Sequence, residues 1–182
     1  ADAARYHFSA GGSRIRAQLG LAAAAALNLS PQASLACALA PELLHNASLV
    51  HDDLQDGDTM RRTQPAVWSR FGKDIAISTG DLLISAAYVA LAQHPHPAAA
   101  LRAMHEAIAF TIDGQTQDCR TKNPSPERYE IIAANKSGPL LALPIRLALI
   151  AANIPGQDTS VQAGHALAIA CQTLDDIDDR SA

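Results

Sequence analysis

The chain has 182 residues, of which 48% are hydrophobic, 18% charged and 4% aromatic, and its formal net charge is −4. This length suffices for one well-buried domain over residues 1–182 and is too short for two. The negative net charge and the scattered positive residues exclude a basic surface for nucleic acid. No apolar run reaches the roughly 18 uncharged residues of a membrane span, so we expect no span and a cytoplasmic location.

The composition predicts an all-α fold. Ala, Leu and Ile are abundant, and alternating runs of β-branched and aromatic residues are nearly absent. Cys37, Cys119 and Cys171 are odd in number and far apart, so we expect reduced core residues and no disulfide framework. Glycine and proline breaks predict helices at about 11–29, 32–56, 72–93, 98–118, 127–134, 139–152 and from 159 onward, with a polar loop at 57–71 and a turn at 94–97.

Two acidic clusters of the same form each follow an apolar helical segment. Residues four apart lie on one helix face, so each cluster places carboxylates side by side, where they repel unless a cation lies between them. Carboxylate oxygens suit Mg²⁺, which commonly bridges protein carboxylates to substrate phosphates. One cluster alone would be interpreted equally well as a solvated helix end, but the matching pair favours a cation-bound polyphosphate site. The clusters are Asp52, Asp53 and Asp56, and Asp175, Asp176 and Asp179.

Basic residues accompany the first cluster and the start of the chain. Arg61 and Arg62 follow the first cluster closely and offer the forked geometry that phosphate oxygens prefer. Arg14 and Arg16 follow a Gly-Gly pair at a predicted helix start, where free backbone amides attract anions. Either pair alone would be ordinary surface charge. Together with the acidic clusters they predict a site for two phosphorylated ligands.

These motifs, taken in order, resemble the trans-isoprenyl diphosphate synthases (polyprenyl synthetases) of the geranylgeranyl and farnesyl diphosphate synthase type. The paired aspartate clusters carry the resemblance, whereas a short motif such as Gly-Gln carries no weight alone. The match extends over nearly the whole chain and comprises residues 11–16, 42–56, 61–62, 80–83, 114–115, 136–138 and 171–179.

The resemblance implies an isoprenoid-synthase fold, an antiparallel helix bundle around a central cavity, usually in a homodimer. It implies an enzyme that condenses an allylic diphosphate with isopentenyl diphosphate to give a longer prenyl diphosphate. The six clustered aspartates would hold Mg²⁺, three ions per active site, on the allylic diphosphate. Asp58 and Asp178 would lie outside this ligand set.

The resemblance also implies roles for other residues. Arg61 and Lys136 match positions that contact the allylic diphosphate, and Gln172 matches a polar residue on the wall beside it. The pocket for isopentenyl diphosphate is matched by Arg16, His45 and Arg62. Without the resemblance, we would interpret His45 as a buried core histidine. Small residues upstream of Asp52 favour a C20 product because they leave the tail cavity open, namely Ala47 and Ser48.

The chain departs from the family pattern in two ways. Ser13 stands where the family has a basic residue, which removes a positive contact from the isopentenyl diphosphate pocket. Family members also continue beyond both ends of this sequence, so we interpret the chain as part of a longer protein that lacks N- and C-terminal segments here.

Three alternatives remain open. A class I terpene cyclase shares the fold and the ionisation chemistry, but its second metal motif is normally built from Asn, Ser and Glu. A non-catalytic subunit of a prenyl synthase heteromer usually loses one aspartate motif, and this chain keeps both. A non-enzymatic helical protein that binds divalent metal would explain the carboxylates but not the basic residues in register with them.

Overall fold

The protein is described by a computed structural model over residues 2–121 and 124–181, with side chains described as far as residue 174. Within these ranges the chain forms eight helices and one two-stranded hairpin, so the all-α expectation is confirmed apart from the hairpin. The elements are α1 (Asp2–Ser9), α2 (Ile15–Ala26), α3 (Pro31–Asp56), β1 (Met60–Arg61), β2 (Gln64–Pro65), α4 (Val67–Phe71), α5 (Lys73–Leu91), α6 (Pro97–Arg120), α7 (Pro126–Ala151) and α8 (Gln157–Ser181).

The long helices form an antiparallel bundle. Short turns join α5 to α6 and α7 to α8, which makes sequential helices antiparallel neighbours. Between α6 and α7, Gly114 faces Lys136 and Glu106 pairs with Arg146, so residue numbers fall on one helix as they rise on the other. The helix α3 packs against α2, α5 and α7 and forms the centre of the bundle.

Local signals fix both ends of α3. Its N-cap is Ser30, whose side chain accepts a hydrogen bond from the Ala33 N–H at 3.3 Å, and Pro31 occupies the first turn. It ends at Gly57, which adopts a φ of 78°, a left-handed conformation that glycine tolerates without a steric cost. The first acidic cluster therefore occupies the last turn of this helix.

The helix α7 differs from the prediction. We expected a short helix, a break and a new helix starting at Pro139, but α7 runs without interruption through Pro139 and Pro144. An interior proline removes one backbone hydrogen bond and clashes with the preceding turn. Both prolines are buried, as are Leu140 and Leu143 between them, and this burial of apolar surface offsets the cost.

Other predictions need smaller corrections. The predicted loop at 57–71 contains the hairpin and α4, and α1 was not predicted at all. All three cysteines are free as expected, but only Cys37 is a core residue, because Cys119 and Cys171 are exposed.

Two buried clusters form the core. The larger lies between α3, α5, α6 and α7, and the smaller lies where α1 and α4 cover α3 and α5. The largest fully buried apolar side chains of the first cluster are Leu91, Met104, Leu143 and Leu147.

Among the described residues, α5 is the one helix that is long and apolar enough to cross a membrane by length and composition. The expectation concerned a run of uncharged residues, and this helix carries Asp74 and Asp81. Only 33% of its apolar window is buried, so much of this surface is exposed in the described part of the chain. The exposed apolar residues on α5 are Ile75, Ile77, Leu82, Tyr88 and Val89.

Candidate active site

A cavity of about 450 Å³ lies between the end of α3, the first turn of α2, the middle of α7 and the later part of α8. It brings together residues that are far apart in sequence and that were predicted to act together. The predicted site residues on its wall are Arg16, His45, Asp52, Asp56, Arg61, Lys136 and Gln172.

Two carboxylates of the first cluster face this cavity. Asp52 and Asp56 are one helical turn apart, so they lie on the same face of α3. Burial raises the pKa of Asp52 to about 6; Lys136 lowers it and Asp56 raises it further. Burial thus penalises the ionised form of Asp52 even though Lys136 and Arg61 act against the shift, and a bound cation would favour that form.

Asp53 lies elsewhere. It is fully buried and is not on the cavity wall, and it accepts a hydrogen bond from Arg61 Nε at 2.7 Å and another from Arg61 Nη2. Burial lowers the pKa of Arg61, but the Asp53 carboxylate more than offsets this and the net shift is upward. Asp53 was expected to hold metal together with Asp52 and Asp56; in the structure its carboxylate holds the guanidinium of Arg61, which lines the cavity.

Lys136 is fixed by an acidic partner on the adjacent helix. Its Nζ donates to Asp118 Oδ2 at 2.6 Å. Burial lowers the pKa of Lys136, but Asp118, Asp52 and Asp56 raise it more, so the net shift is upward and the ammonium stays charged. Gly114 allows α6 to approach α7 closely at this point, because a Cβ on residue 114 would lie 2.6 Å from the Asn135 carbonyl carbon.

Arg16, from the first turn of α2, and His45, two turns before Asp52 on α3, also line the cavity. Arg16 is 8% exposed, and its Nε has no hydrogen-bond partner among the described residues. Burial lowers its pKa to about 10, and Glu42 acts against this shift. Burial, followed by the charges of Arg16 and Arg62, lowers the pKa of His45 to about 3. His45 is therefore a neutral imidazole at pH 7.

Arg62 lies outside this cavity wall, against the Gly-Gly segment. Its Nη1 donates to the Gly11 carbonyl oxygen, and its guanidinium occupies the space that a Cβ on Gly12 would fill. Gly12 has a φ of 133°, so this position requires glycine on two grounds. Ser13 does line the cavity, which places the departure from the family pattern at the predicted site.

The second acidic cluster lies outside the described side chains. The backbone of α8 continues through Asp175, Asp176 and Asp179, but their carboxylates are not described. Among the side chains that are described, no three His, Cys, Asp or Glu residues are grouped to hold a metal ion.

A smaller apolar cavity of about 100 Å³ adjoins the site near the middle of α3. Ser48, Thr111 and Leu140 line both cavities, so the two are contiguous along these residues. Ala47 also lines the smaller one, as expected for a residue on the wall of a tail cavity. Its apolar walls further include Leu44, Ile84 and Ile108.

Sequence reasoning missed three polar residues that hold the site. Asp118 pairs with Lys136, and Glu42 and Asn46 bond to each other beside Arg16. A signal for two of them existed, because Glu42, Asn46 and Asp53 continue one polar stripe along α3 at helical spacing.

The family model for polyprenyl synthetase matches residues 1–182 of this chain. The chain is 35% identical over 173 residues to the (2E,6E)-farnesyl diphosphate synthase of Mycobacterium tuberculosis, covering 91% of this chain and 48% of that protein. It is 34% identical over 176 residues to the geranylgeranyl diphosphate synthase of the same organism, covering 91% and 50%. The chain thus spans about half the length of the curated relatives it matches.

Solved structures agree with this family. The crystal structure of geranyltranstransferase from Thermotoga maritima matches with a TM-score of 0.90 and 29% identity, over 98% of this chain and 69% of that chain. A geranylgeranyl pyrophosphate synthetase from Pyrococcus horikoshii matches with a TM-score of 0.88 and 32% identity, over 97% and 57%. The expected isoprenoid-synthase fold is therefore confirmed.

Proposed function

Because the chain belongs to the polyprenyl synthetase family, we propose that it is a prenyltransferase that joins an allylic diphosphate to isopentenyl diphosphate. The observation that carries this proposal is the cavity itself. Two carboxylates and two basic residues, Asp52, Asp56, Arg61 and Lys136, line it together with Arg16 and His45. Such a site fits two phosphorylated ligands, one held through cations and one held directly.

The donor set fits Mg²⁺. Asp52 and Asp56 offer hard oxygen ligands on one helix face, and a cation would offset the burial that raises the pKa of Asp52. We propose that these two residues, together with Asp175, Asp176 and Asp179, would hold Mg²⁺, three ions per site. When bound, the metal supplies positive charge that stabilises the departing diphosphate. We assign Asp53 to the support of Arg61 instead of to the metal.

The chain's own residues would bind, orient and shield the substrates. Arg61 and Lys136 hold the allylic diphosphate, with Gln172 on the wall beside it, so its C–O bond can break to leave an allylic cation. The double bond of isopentenyl diphosphate, held by Arg16 and His45, donates its electron pair to form the new C–C bond. A proton is then lost to the departed diphosphate. Apolar walls exclude water, which would quench the cation.

We propose a C20 product. The tail of the growing chain would enter the smaller apolar cavity, where Ala47 and Ser48 leave space that a Phe or Tyr would fill. Leu43 and Leu44 lie further from the acidic cluster on the same helix and could limit the length. The names of the relatives include both farnesyl and geranylgeranyl diphosphate synthases, so product length is the finer part of this proposal.

We also propose a cytoplasmic homodimer in which a second copy covers the exposed faces of α5 and α6. Val89 on α5 and Phe110 and Ile112 on α6 are each more than half exposed, and exposed apolar surface on neighbouring helices is typical of an interaction surface. Asp81, with its side chain 69% exposed in the middle of α5, would be costly in lipid, so we favour a protein partner. Val89→Asp should convert the dimer to a monomer in light scattering, whereas Thr159→Asp, on the exposed first turn of α8, should not.

Product analysis tests the proposed reaction. The chain is incubated with Mg²⁺ and an allylic diphosphate, with and without isopentenyl diphosphate, and the products are identified by mass spectrometry. Longer diphosphates that form only when both substrates are present are the expected result. Hydrocarbons formed from the allylic substrate alone would indicate a terpene cyclase, and no product would indicate a non-catalytic subunit.

A further inference from the structure

The helix α2 begins without a cap from its own sequence. Arg14 precedes it in a left-handed conformation, with a φ of 50°, and makes no side-chain capping bond. The first N–H groups of a helix need acceptors from elsewhere. The Ala17 N–H donates to Glu42 Oε2 at 3.2 Å. Glu42, on α3, therefore caps the turn of α2 that carries Arg16.

Glu42 is itself held by two buried residues. Asn46 Nδ2 donates to Glu42 Oε1 at 3.1 Å and to the Glu42 carbonyl oxygen at 2.7 Å. Asn46 Oδ1 then faces His7 Nε2 at 3.0 Å, so that nitrogen of His7 carries the proton. Asn46 and His7 are each 3% exposed. This chain of bonds, anchored by two buried residues, fixes the half-buried carboxylate in one place.

The charge of Glu42 acts on Arg16. Burial penalises the Arg16 cation, and Glu42 is the largest contribution that favours the charged form. No hydrogen bond joins the two side chains in the described part of the structure, so the guanidinium donors remain available to a ligand in the cavity. Glu42 does not line that cavity.

We propose that Glu42 is a positioning residue for isopentenyl diphosphate. It holds the first turn of α2, from which Arg16 enters the cavity, with Asn46 and His7 as its brace. This inference rests on the proposed prenyl transfer. Glu42 acts through Arg16, because it has no direct access to the substrate.

Steady-state kinetics of Glu42→Gln test this role. Glutamine keeps the shape and can still accept the Ala17 N–H, but the charge is lost. The KM for isopentenyl diphosphate should rise about tenfold, the scale of one hydrogen bond to a charged group. The kcat and the allylic KM should stay within about twofold of the wild type. Equal changes in both KM values, or a loss confined to kcat, would overturn the proposal.

The matched control is Glu106→Gln. Glu106 also faces an arginine of the neighbouring helix, Arg146, but this pair lies outside the cavity. Its kinetics should equal those of the wild type. If it raises the KM for isopentenyl diphosphate as much as Glu42→Gln does, the effect is a general consequence of removing a carboxylate.

A double-mutant cycle tests whether Glu42 acts through Arg16. Adding Glu42→Gln to Arg16→Gln should change the KM no further, because the residue to be positioned is already gone. Additive effects would contradict the inference. If Glu42→Gln does not fold, Asn46→Ala provides a second test, because it removes the brace and leaves the charge of Glu42. It should raise the KM for isopentenyl diphosphate. A folded Asn46→Ala variant with an unchanged KM would contradict the proposal.

Calorimetry with inorganic pyrophosphate in EDTA separates this inference from the proposed function. Weaker pyrophosphate binding by Glu42→Gln supports the role of Glu42 even if the wild type forms no prenyl product, in which case only the proposed reaction fails. An unchanged pyrophosphate Kd in a chain that does condense the substrates overturns the role of Glu42 alone.

Discussion

The α3 and α2 sides of the cavity differ in the charge of the buried side chain that each contributes. On the α3 side, burial raises the pKa of Asp52 although Lys136 and Arg61 act against the shift. On the α2 side, Arg16 is buried with Nε unpartnered among the described residues. A buried carboxylate favours a cation and a buried guanidinium favours an anion. The difference supports the proposal that the two diphosphates are held in different ways, one through metal ions and one directly by the protein.

Removal of a carboxylate from the α3 side should have the largest effect. For Asp52→Ala we expect kcat with Mg²⁺ to fall about 10³-fold or more, the scale of losing a main electrostatic stabiliser of a transition state. Circular dichroism should stay helical. The control is Asp113→Ala, which removes an exposed carboxylate from α6 and should retain full activity. Normal turnover by Asp52→Ala, or by wild type in EDTA, would contradict a metal-dependent acidic side.

Adding a charge to the α2 side should have a smaller effect. Ser13→Lys restores a positive residue on the cavity wall, so the KM for isopentenyl diphosphate should fall about tenfold with little change in kcat. The allylic KM should stay the same. Ser69→Lys, on the exposed surface of α4, serves as the control. An unchanged isopentenyl KM in Ser13→Lys would show that this side does not hold that substrate.

Narrowing the apolar cavity should change the product without changing ionisation. Ala47 is 1% exposed and lines this cavity, so Ala47→Phe should shorten the product by at least one five-carbon unit. Chromatography of the reaction products measures this, with Ala25→Phe on the exposed face of α2 as the control. An unaltered product distribution would mean that Ala47 is not on the tail path.

The smallest expected effect is the pH dependence of stability due to His45. Its pKa falls from 6.5 in the unfolded chain to about 3 in the fold because of burial. The unfolded state therefore binds more protons below pH 6.5, and stability falls as the pH decreases from there toward 3. His45→Gln should make the stability depend less on pH. The Tm should shift by about 2–4 °C for each kcal/mol of unfolding free energy that His45 contributes.

Thermal melts between pH 7 and pH 4 measure the effect of His45. The exposed His105→Gln is the control and should follow the wild type. The Tm of His45→Gln should still fall somewhat as the pH decreases, because burial also lowers the pKa of His7 and His94. An identical slope in His45→Gln and the wild type would contradict a neutral, buried His45.

The sequence predicted the elements that local signals define. Ser30, Pro31 and Gly57 delimit α3 correctly, and the spacing of Asp52 and Asp56 places both on one face. The helix break predicted at Pro139 was wrong, because the cost of a proline inside a helix is offset by its burial between α6 and α8. No local sequence pattern reports that burial. Asp53 shares the motif of Asp52, but its different role depends on Arg61 of a hairpin whose position is tertiary information.

The supporting residues were the hardest to predict. Glu42 and Asn46 belong to the polar stripe of α3, but their partners, Ala17 and His7, lie on helices that reach them only in the folded bundle. Asp118 likewise gains its role only because α6 approaches Lys136. The sequence indicates which residues carry the chemistry, whereas the residues that orient them are identified from contacts between helices in the fold.

Binding of each diphosphate alone, measured by calorimetry with and without Mg²⁺, tests the difference between the two sides most directly. A non-reactive allylic diphosphate analogue should bind wild type only with Mg²⁺, and Asp52→Ala should abolish this binding. Isopentenyl diphosphate should bind in EDTA, and it should bind Asp52→Ala within about threefold of the wild-type Kd because its direct contacts remain. Equal metal dependence for the two ligands would contradict the account.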